Sequence, residues 1–248
     1  MIHPRQNQDV RRILSALKKP RKQAFKNDFD HGKPHALVTL AFGEKLVRDP
    51  LYRDKVNKRA AAIALLVHDI GSTINRFPKA SQTRREKARK MHEPWGAHIL
   101  TNAMMKAGYD AELISEVADA VKTHDSGPHE TLLSKLVSDA DKLALFPNGV
   151  KRVLNFARTK GGGQPLYTPA KWNLRTLKPV DGASIDPFYV LFSIAKLPEN
   201  KIYSTTAKKE VVTLRRKFVE ELTETIKGHK YEKEMLTLLA KSKAETWF

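Results

Sequence analysis

The residues best suited to chemistry are an adjacent histidine and aspartate, His68 and Asp69, near the end of the otherwise apolar segment Leu65-Leu66-Val67-His68-Asp69-Ile70-Gly71. Burying a carboxylate without a compensating partner costs on the order of several kcal/mol. Coordination of a cation offsets that cost, and a neutral imidazole is a common ligand for the same cation. An aspartate that caps the helix before Gly71, beside an incidental histidine, fits the pair as well. The pair alone therefore leaves a metal site and a helix cap open.

Further candidate ligands lie at the ends of other predicted helices. His35 begins one of these helices, His92 precedes another, and His124 with its neighbour Asp125 ends a third. The segment Ser138-Asp139-Ala140-Asp141-Lys142-Leu143 lies inside a helix, and both of its aspartates flank the apolar face. Periodicity alone cannot choose between them. Helix ends that converge on one point would bring these side chains into a single site.

The helices that must position these side chains follow from the spacing of apolar residues. Apolar residues recur at helical intervals over 36–47, and the segment 60–70 is apolar on nearly every side, which predicts a buried central helix. Turn residues such as Gly71 and Gly108 separate further predicted helices at 95–106, 111–123, 131–146, 186–195, 204–227 and 231–241. No alternating strand pattern occurs, so the predicted class is all-α. The Gly- and Pro-rich stretch at about 160–182 is predicted to be a mobile excursion.

Composition narrows the chemistry. The chain has 248 residues, long enough for one domain with a substantial core. It has no cysteine, so any metal must be held by His, Asp and Glu. The first residues form no apolar signal segment and the longest apolar stretch is too short for a bilayer, so a cytoplasmic protein without membrane contact is expected. The net charge of +18 favours polyanionic partners, although a solvated lysine-rich surface explains it equally well.

The ordered set His35, His68-Asp69 and Asp141 resembles the H…HD…D signature of the HD superfamily of metal-dependent phosphohydrolases. The contexts are similar as well: His35-Ala36-Leu37-Val38 resembles the first helix of that family, and Asp139-Ala140-Asp141-Lys142-Leu143 resembles its closing "ADxL" element. The resemblance covers about 28–146. It implies an all-α HD-domain bundle with extra C-terminal helices at about 183–248, and it selects Asp141 over Asp139 as a ligand.

Two further motifs resemble elements of the two-metal members of the family. His92-Glu93-Pro94-Trp95-Gly96-Ala97 is similar to their "HxxxGA" element, and His124 in Lys122-Thr123-His124-Asp125 to their following histidine. The resemblance implies a first metal on His35, His68, Asp69 and Asp141. It also implies that His92 and His124 hold a second ion bridged by Asp69 or contact the phosphate, which makes Asp69, His92 and His124 the expected catalytic residues.

Mixed imidazole and carboxylate ligands favour manganese or iron, with nickel, cobalt, zinc or magnesium as alternatives. Additional substrate phosphates are expected on Arg76, Lys79 and Arg84, the last of which begins a basic run at 84–90; a solvated helical face accounts for that run equally well. His98 is expected to pack or to support a ligand. Ordinary surface positions are expected for His3, His31, His129 and His229.

The chain departs from the pattern of the family at two points. Position 72 is Ser where several subfamilies have lysine, and no "GYP" element follows His124, so hydrolysis of cyclic dinucleotides is not expected. The tail at 196–219 is similar to that of small stand-alone HD hydrolases of nucleotides. The first functional hypothesis is therefore hydrolysis of phosphoester or phosphoanhydride bonds in nucleotides. The second is an HD-type nuclease for single-stranded nucleic acid, and the third is a non-catalytic module that binds nucleic acid, against which the intact ligand set argues.

Overall fold

Ten α-helices contain most of the residues that the computed structural model describes, which are 8–18, 33–75, 82–159, 165–173, 178–179 and 186–246. The helices are α1 Gln8–Ala16, α2 Lys33–Leu46, α3 Lys58–Val67, α4 Gln82–Lys106, α5 Ala111–Lys122, α6 Leu132–Ala144, α7 Gly149–Thr159, α8 Pro187–Ala195, α9 Thr205–Ile226 and α10 Glu232–Thr246. Short 3₁₀ segments occupy His68–Asn75, Pro169–Lys171 and Glu199–Lys201. Two strands of two residues each, β1 Trp172–Asn173 and β2 Lys178–Pro179, pair antiparallel. The prediction of an all-α class is confirmed.

The chain divides into two compact units. The first contains residues 1–144 and 202–208, and the second contains 145–201 and 209–248. In the first unit α3 is the central helix, because every residue from 60 to 67 is buried and α3 packs against α1, α2, α5 and α6. The expectation of one domain with an HD core at about 28–146 stays a prediction.

The helices of the first unit begin and end where their sequences provide caps. The side chain of Asn57 accepts hydrogen bonds from the backbone N–H groups of Arg59 and Ala60 at the start of α3, and Asp110 caps α5 in the same way. Helix α4 ends at Lys106, and Gly108 follows with a φ of +69°, a left-handed conformation that glycine adopts without steric cost. These local signals fix the connection between α4 and α5, which pack against each other.

In the second unit, α8 packs against α7 and α10. Asp186 caps α8 and Pro187 occupies its first turn, which is the favoured arrangement for a helix start. The buried ring of Phe218 lies edge-on to Phe146, with 5.8 Å between centroids. Buried Arg215 forms an ion pair with Glu199 and donates to the Leu197 carbonyl, so it fixes the segment before α9.

Three helical segments differ from the sequence expectations. Helix α4 begins at Gln82 rather than near Trp95, so His92 lies within a helix instead of before one. Pro94, a residue type that usually ends or kinks a helix, lies inside α4. Helices α1 and α7 were not predicted, although Val150, Val153 and Ala157 of α7 show helical spacing and are buried. Most of the 160–182 stretch lies outside the described residues, and its mobility stays a prediction.

Among the described helices, none combines the length and the apolar character that crossing a bilayer requires.

Candidate metal centre

His68 and Asp69 directly follow the last residue of the buried helix α3, and both are buried in turn, with 0% and 5% of their surfaces exposed. The chain tightens there into the 3₁₀ segment His68–Asn75, which packs closely against α4. Gly71 permits this approach: a β-carbon at that position would lie only 2.6 Å from the Gly96 nitrogen and closer still to the His92 carbonyl oxygen. The glycine that follows the His-Asp pair is therefore required by backbone packing.

A first group of potential ligands joins α2, the end of α3 and the last turn of α6. The Nε2 atom of His35 lies 2.8 Å from Oδ1 of Asp141 and 3.5 Å from Oδ2 of Asp69. The Nε2 atom of His68 lies 2.9 Å from Oδ2 of Asp69 and 3.4 Å from Oδ1 of Asp141. One ligand atom from each of these four residues lies within 4.8 Å of all the others. This is the spacing expected of side chains that can share one ion.

A second group consists of Asp69, His92 and His124, again with all ligand atoms within 4.8 Å of one another. The Nε2 atom of His124 lies 3.4 Å from Oδ1 of Asp69 and 3.4 Å from Nε2 of His92. Asp69 thus belongs to both groups, and its two oxygens face opposite ways: Oδ2 faces His68, whereas Oδ1 faces His124. The arrangement can hold two ions with Asp69 between them.

Backbone carbonyl groups orient two of the imidazoles. The Nδ1 atom of His68 lies 3.0 Å from the Leu65 oxygen, and that of His124 lies 2.7 Å from the Val121 oxygen. Since a carbonyl can only accept, each Nδ1 carries a proton, and each Nε2 is the ring atom directed toward the carboxylates. Ligating histidines are held in this way in metal sites.

The fit of this cluster to a cation is visible at His68. Within the described part of the chain, its buried Nε2 atom makes no hydrogen bond of acceptable geometry, although a carboxylate oxygen of Asp69 lies 2.9 Å away. Donor atoms that approach one another closely without bonding are expected where several lone pairs point at a common ion. The donor set of imidazole nitrogens and carboxylate oxygens suits a divalent transition metal.

The electrostatics of the cluster also favour positive charge. Burial lowers the pKa of His68, but the charges of Asp69 and Asp141 outweigh that effect and raise it to about 10. Burial likewise lowers the pKa of His124, yet the neighbouring Asp69 carboxylate produces a net increase. Burial raises the pKa of Asp141, whereas its contacts with His35 and His68 hold it well below the usual range. The Asp141 carboxylate therefore stays ionised and requires cationic neighbours, whether protons or metal ions.

The two aspartates of α6 have different surroundings. Asp141 contacts His35, whereas Asp139 is fully buried and accepts hydrogen bonds from the Tyr52 hydroxyl at 2.7 Å and from the backbone nitrogens of Tyr203 and Ser204 at 2.8 and 2.9 Å. Asp139 is absent from both ligand groups. It attaches α6 to the segment 202–208 of the same unit, and so it supports the helix that carries Asp141.

Glu93 is a buried residue of the site that the sequence interpretation missed. Its carboxylate accepts hydrogen bonds from the backbone nitrogens of Asp125 and Ser126 at 2.8 and 3.1 Å and from the Ser126 hydroxyl. Burial raises its pKa, but these hydrogen bonds produce a net decrease, so the group is ionised. Glu93 thereby fixes the chain just after His124. In the sequence, the only indication of this role was the position of Glu93 directly after His92. An exposed glutamate could occupy the same position, so the sequence did not reveal the role.

Two further histidines differ from their expected roles. His129 was expected at the surface, but it is half-buried: its Nε2 donates to the His124 carbonyl at 3.1 Å, and its Nδ1 accepts from the Tyr203 hydroxyl at 2.8 Å. Burial lowers the pKa of His129, which favours the neutral ring that this arrangement needs. His98, expected to pack or to support a ligand, is solvent-exposed and interacts with Trp95 and Asn102.

The expected phosphate contacts cannot be located in the same way. Arg76 and Lys79 lie outside the described residues. Arg84 lies in the first turn of α4, and its side chain is likewise outside what is described. By contrast, all six expected ligand positions lie together at one buried location of the first unit.

The protein thus has an all-α fold and a candidate metal centre in which two groups of His and Asp side chains share one aspartate. Residues 34–145 match the family model of the HD domain, and this segment contains every residue of both groups. The chain therefore contains an HD domain at residues 34–145, as the H…HD…D resemblance predicted.

The fold is also similar to the crystal structure of a protein described as a predicted HD superfamily hydrolase from an uncultured Thermotogales bacterium. The two chains are 20% identical, the superposition covers 87% of this chain and 89% of the other, and the TM-score is 0.51. At that identity the similarity concerns the fold alone. No curated protein matches the sequence significantly.

Proposed function

We propose that the protein is a metal-dependent phosphohydrolase that cleaves phosphoester or phosphoanhydride bonds, with nucleotides as the substrate class. The observation that carries this proposal is the position of Asp69, whose two carboxylate oxygens face two separate groups of buried ligands. A buried carboxylate between four histidines has no evident use in packing, whereas it suits a centre in which two cations share one ligand.

In this proposal each side chain has a distinct task. His35, His68, Asp69 and Asp141 hold one ion, and His92 and His124 with Asp69 hold the second. The carbonyls of Leu65 and Val121 keep the Nε2 lone pairs of His68 and His124 directed at the centre. The chemistry that divalent cations supply in such a site is Lewis acidity, which promotes attack of water on phosphorus and offsets the charge that develops during displacement. Manganese or iron suits this donor set best.

The substrate class rests on charge and on family resemblance. A chain with 45 Lys and Arg against 27 Asp and Glu attracts multiply charged anions, and a nucleotide carries both the phosphate and a planar base. Arg76, Lys79 and Arg84 are proposed to contact phosphates beyond the one that is cleaved. The similar Thermotogales protein is described as a hydrolase, which agrees with the proposed reaction type.

The experiment that tests this function compares Asp69→Ala with Asp125→Ala. Asp125 is an exposed carboxylate that follows His124 and belongs to neither ligand group, so it provides a matched control. Each purified protein is analysed for bound metal and for phosphate release from nucleotides with added Mn²⁺. We expect Asp69→Ala to lose bound metal and activity, by more than the roughly 10- to 100-fold typical of residues that merely support a ligand. Its helical content should stay nearly unchanged. Full activity in Asp69→Ala would rule out the mechanism.

The alternative is a metal-dependent nuclease for single-stranded nucleic acid, and the net charge of +18 is the observation that favours it. Both activities would need the same ligand residues, so Asp69→Ala cannot distinguish them. Unstructured oligonucleotides added to the same screen can. Cleavage of oligonucleotides at a rate well above that of mononucleotides would favour the nuclease, and the reverse order would favour the nucleotide hydrolase.

A further inference from the structure

An exposed tryptophan lies on α4 one helical turn beyond His92. Among the described residues, the exposed large apolar side chains are Leu37, Met91, Trp95, Met105 and Val212, of which Trp95 is the aromatic one. The indole is 44% exposed, and Met91, one turn earlier on the same helix, is 45% exposed. Residues three or four positions apart on a helix are neighbours, with β-carbons about 5–6 Å apart. Trp95 is therefore adjacent both to Met91 and to the ligand His92.

Neighbouring side chains hold the indole in place. The ring of His98 lies against it with 5.5 Å between centroids and 32° between planes, and Asn102 donates a hydrogen bond to Nε2 of His98 at 3.0 Å. An exposed tryptophan whose ring is already in contact with a neighbouring side chain loses less conformational freedom when a ligand binds than one without such a contact. Leaving so large an apolar ring in water is unfavourable, and 44% of Trp95 remains exposed.

From this geometry we infer that Trp95 and Met91 form a subsite that binds the base of the nucleotide by stacking, while its phosphate lies at the metal centre. The inference rests on the proposed function and names the part of the substrate that the site recognises outside the ligand groups. Every nucleobase presents a π-face, so a stacking subsite tolerates different bases. The subsite consists of two side chains, whereas a stable protein interface uses roughly 20–30 residues on each side, which favours a small planar ligand.

The test compares two ligands that differ only in the base, AMP and ribose 5-phosphate, with Mn²⁺ present. The variants are Trp95→Ala, Trp95→Phe and the control Met105→Ala. Met105 is 62% exposed on the same helix, and thirteen residues at 1.5 Å each place it about 20 Å from His92 along the axis. Where AMP is hydrolysed, KM is compared; where it is not, calorimetry gives Kd.

We expect Trp95→Ala to weaken the binding of AMP by roughly 5- to 150-fold, the range found when an aromatic ring that stacks on a base is removed. Ribose 5-phosphate should change by less than about 2-fold, because it lacks the base that stacks. Trp95→Phe should recover most of the loss, since a smaller ring still stacks, and Met105→Ala should leave both ligands unchanged. Equal weakening of both ligands would mean that Trp95 merely supports the metal centre, and no effect on AMP would remove the subsite altogether; either result overturns the inference.

The inference and the proposed function fail in different ways. If no phosphate ester is hydrolysed but AMP still binds more tightly than ribose 5-phosphate through Trp95, the function fails and the subsite stands. If AMP is hydrolysed no more efficiently than ribose 5-phosphate, and Trp95→Ala affects both equally, the function stands and the subsite fails. Thermal unfolding of each variant shows whether the fold is retained.

Discussion

Replacing Gly71 by alanine tests whether backbone packing sets the geometry of the second ligand group. The new β-carbon would lie 2.6 Å from the Gly96 nitrogen and 2.9 Å from its α-carbon, whereas real β-carbons essentially never approach another heavy atom within 3.0 Å. The 3₁₀ segment and α4 must therefore separate by at least 0.4 Å, the difference between 3.0 and 2.6 Å, and by more at the His92 carbonyl. The neighbours are backbone atoms, which cannot rotate away as a side chain would.

A shift of this size has two consequences. Metal–ligand distances tolerate changes of only about 0.2 Å, so displacement of His92 from Asp69 should remove the ion held by Asp69, His92 and His124 while the other group keeps its ion. Overpacking should also cost about 1–3 kcal/mol of stability. For a chain of this length that lowers the midpoint of thermal unfolding by roughly 2–12 °C. Elemental analysis after Mn²⁺ loading and a thermal melt measure the two effects.

Gly96→Ala supplies the matched control on the facing helix. Its β-carbon would lie 3.1 Å from the Gly71 nitrogen and 3.4 Å from Cγ1 of Val121, so movements of a few tenths of an ångström suffice. This variant should keep most of its metal and stability. The reasoning is refuted if Gly71→Ala retains the metal content and melting temperature of the parent protein, or if Gly96→Ala proves the more damaging of the two.

Two further predictions concern buried carboxylates that support the first unit. Asp139→Asn should lower the free energy of unfolding by about 2–4 kcal/mol, because an amide cannot accept from Tyr52, Tyr203 and Ser204 as a carboxylate does. The bound Mn²⁺ should nevertheless persist. Urea titration and metal analysis measure the two quantities, and metal loss at unchanged stability would contradict the prediction. Asp49 accepts from the backbone of Leu51 and Thr206; burial raises its pKa, but these hydrogen bonds lower it below 3.8. A carboxyl group whose pKa is lower in the folded than in the unfolded protein stabilises the fold at pH values above its unfolded pKa. The stability advantage of the parent protein over Asp49→Asn should therefore shrink as pH falls below about 4. A difference in unfolding free energy that stays constant with pH would refute this prediction.

The residues of the two candidate ligand groups could be predicted from the sequence because their types and order carry the information. A buried His-Asp pair after an apolar helix is costly without a cation, and the ordered histidines and aspartate repeat a family pattern. Periodicity could not choose between Asp139 and Asp141, since both flank the apolar face of α6. The structure gives the physical difference: Asp139 contacts Tyr52 and the start of α9, whereas Asp141 contacts His35.

Other features depend on contacts between distant segments and were not predictable. The helix predicted to begin near Trp95 begins at Gln82, and Pro94 lies inside it, where tertiary packing outweighs the local cost of a proline. The role of Glu93 follows from backbone nitrogens more than thirty residues away. Gly71 looked like a helix terminator, yet its function is to let two backbones approach. In each case the residue type was visible and the partner was not.

The position of the candidate ligands at helix C-termini explains why this site suits cations. His68 and His124 each follow the end of a helix, and each donates its Nδ1 proton to a carbonyl three residues earlier, one of the groups that a helix end leaves without a partner. Asp141 lies in the last turn of α6. Side chains from three helix C-termini therefore lie within a few ångströms of one another, and each C-terminus carries a partial negative charge of roughly half an electron. Anion sites use helix N-termini instead. The helices thus add negative potential to that of the carboxylates, and the orientation of the imidazoles and the preference for a cation have the same structural origin.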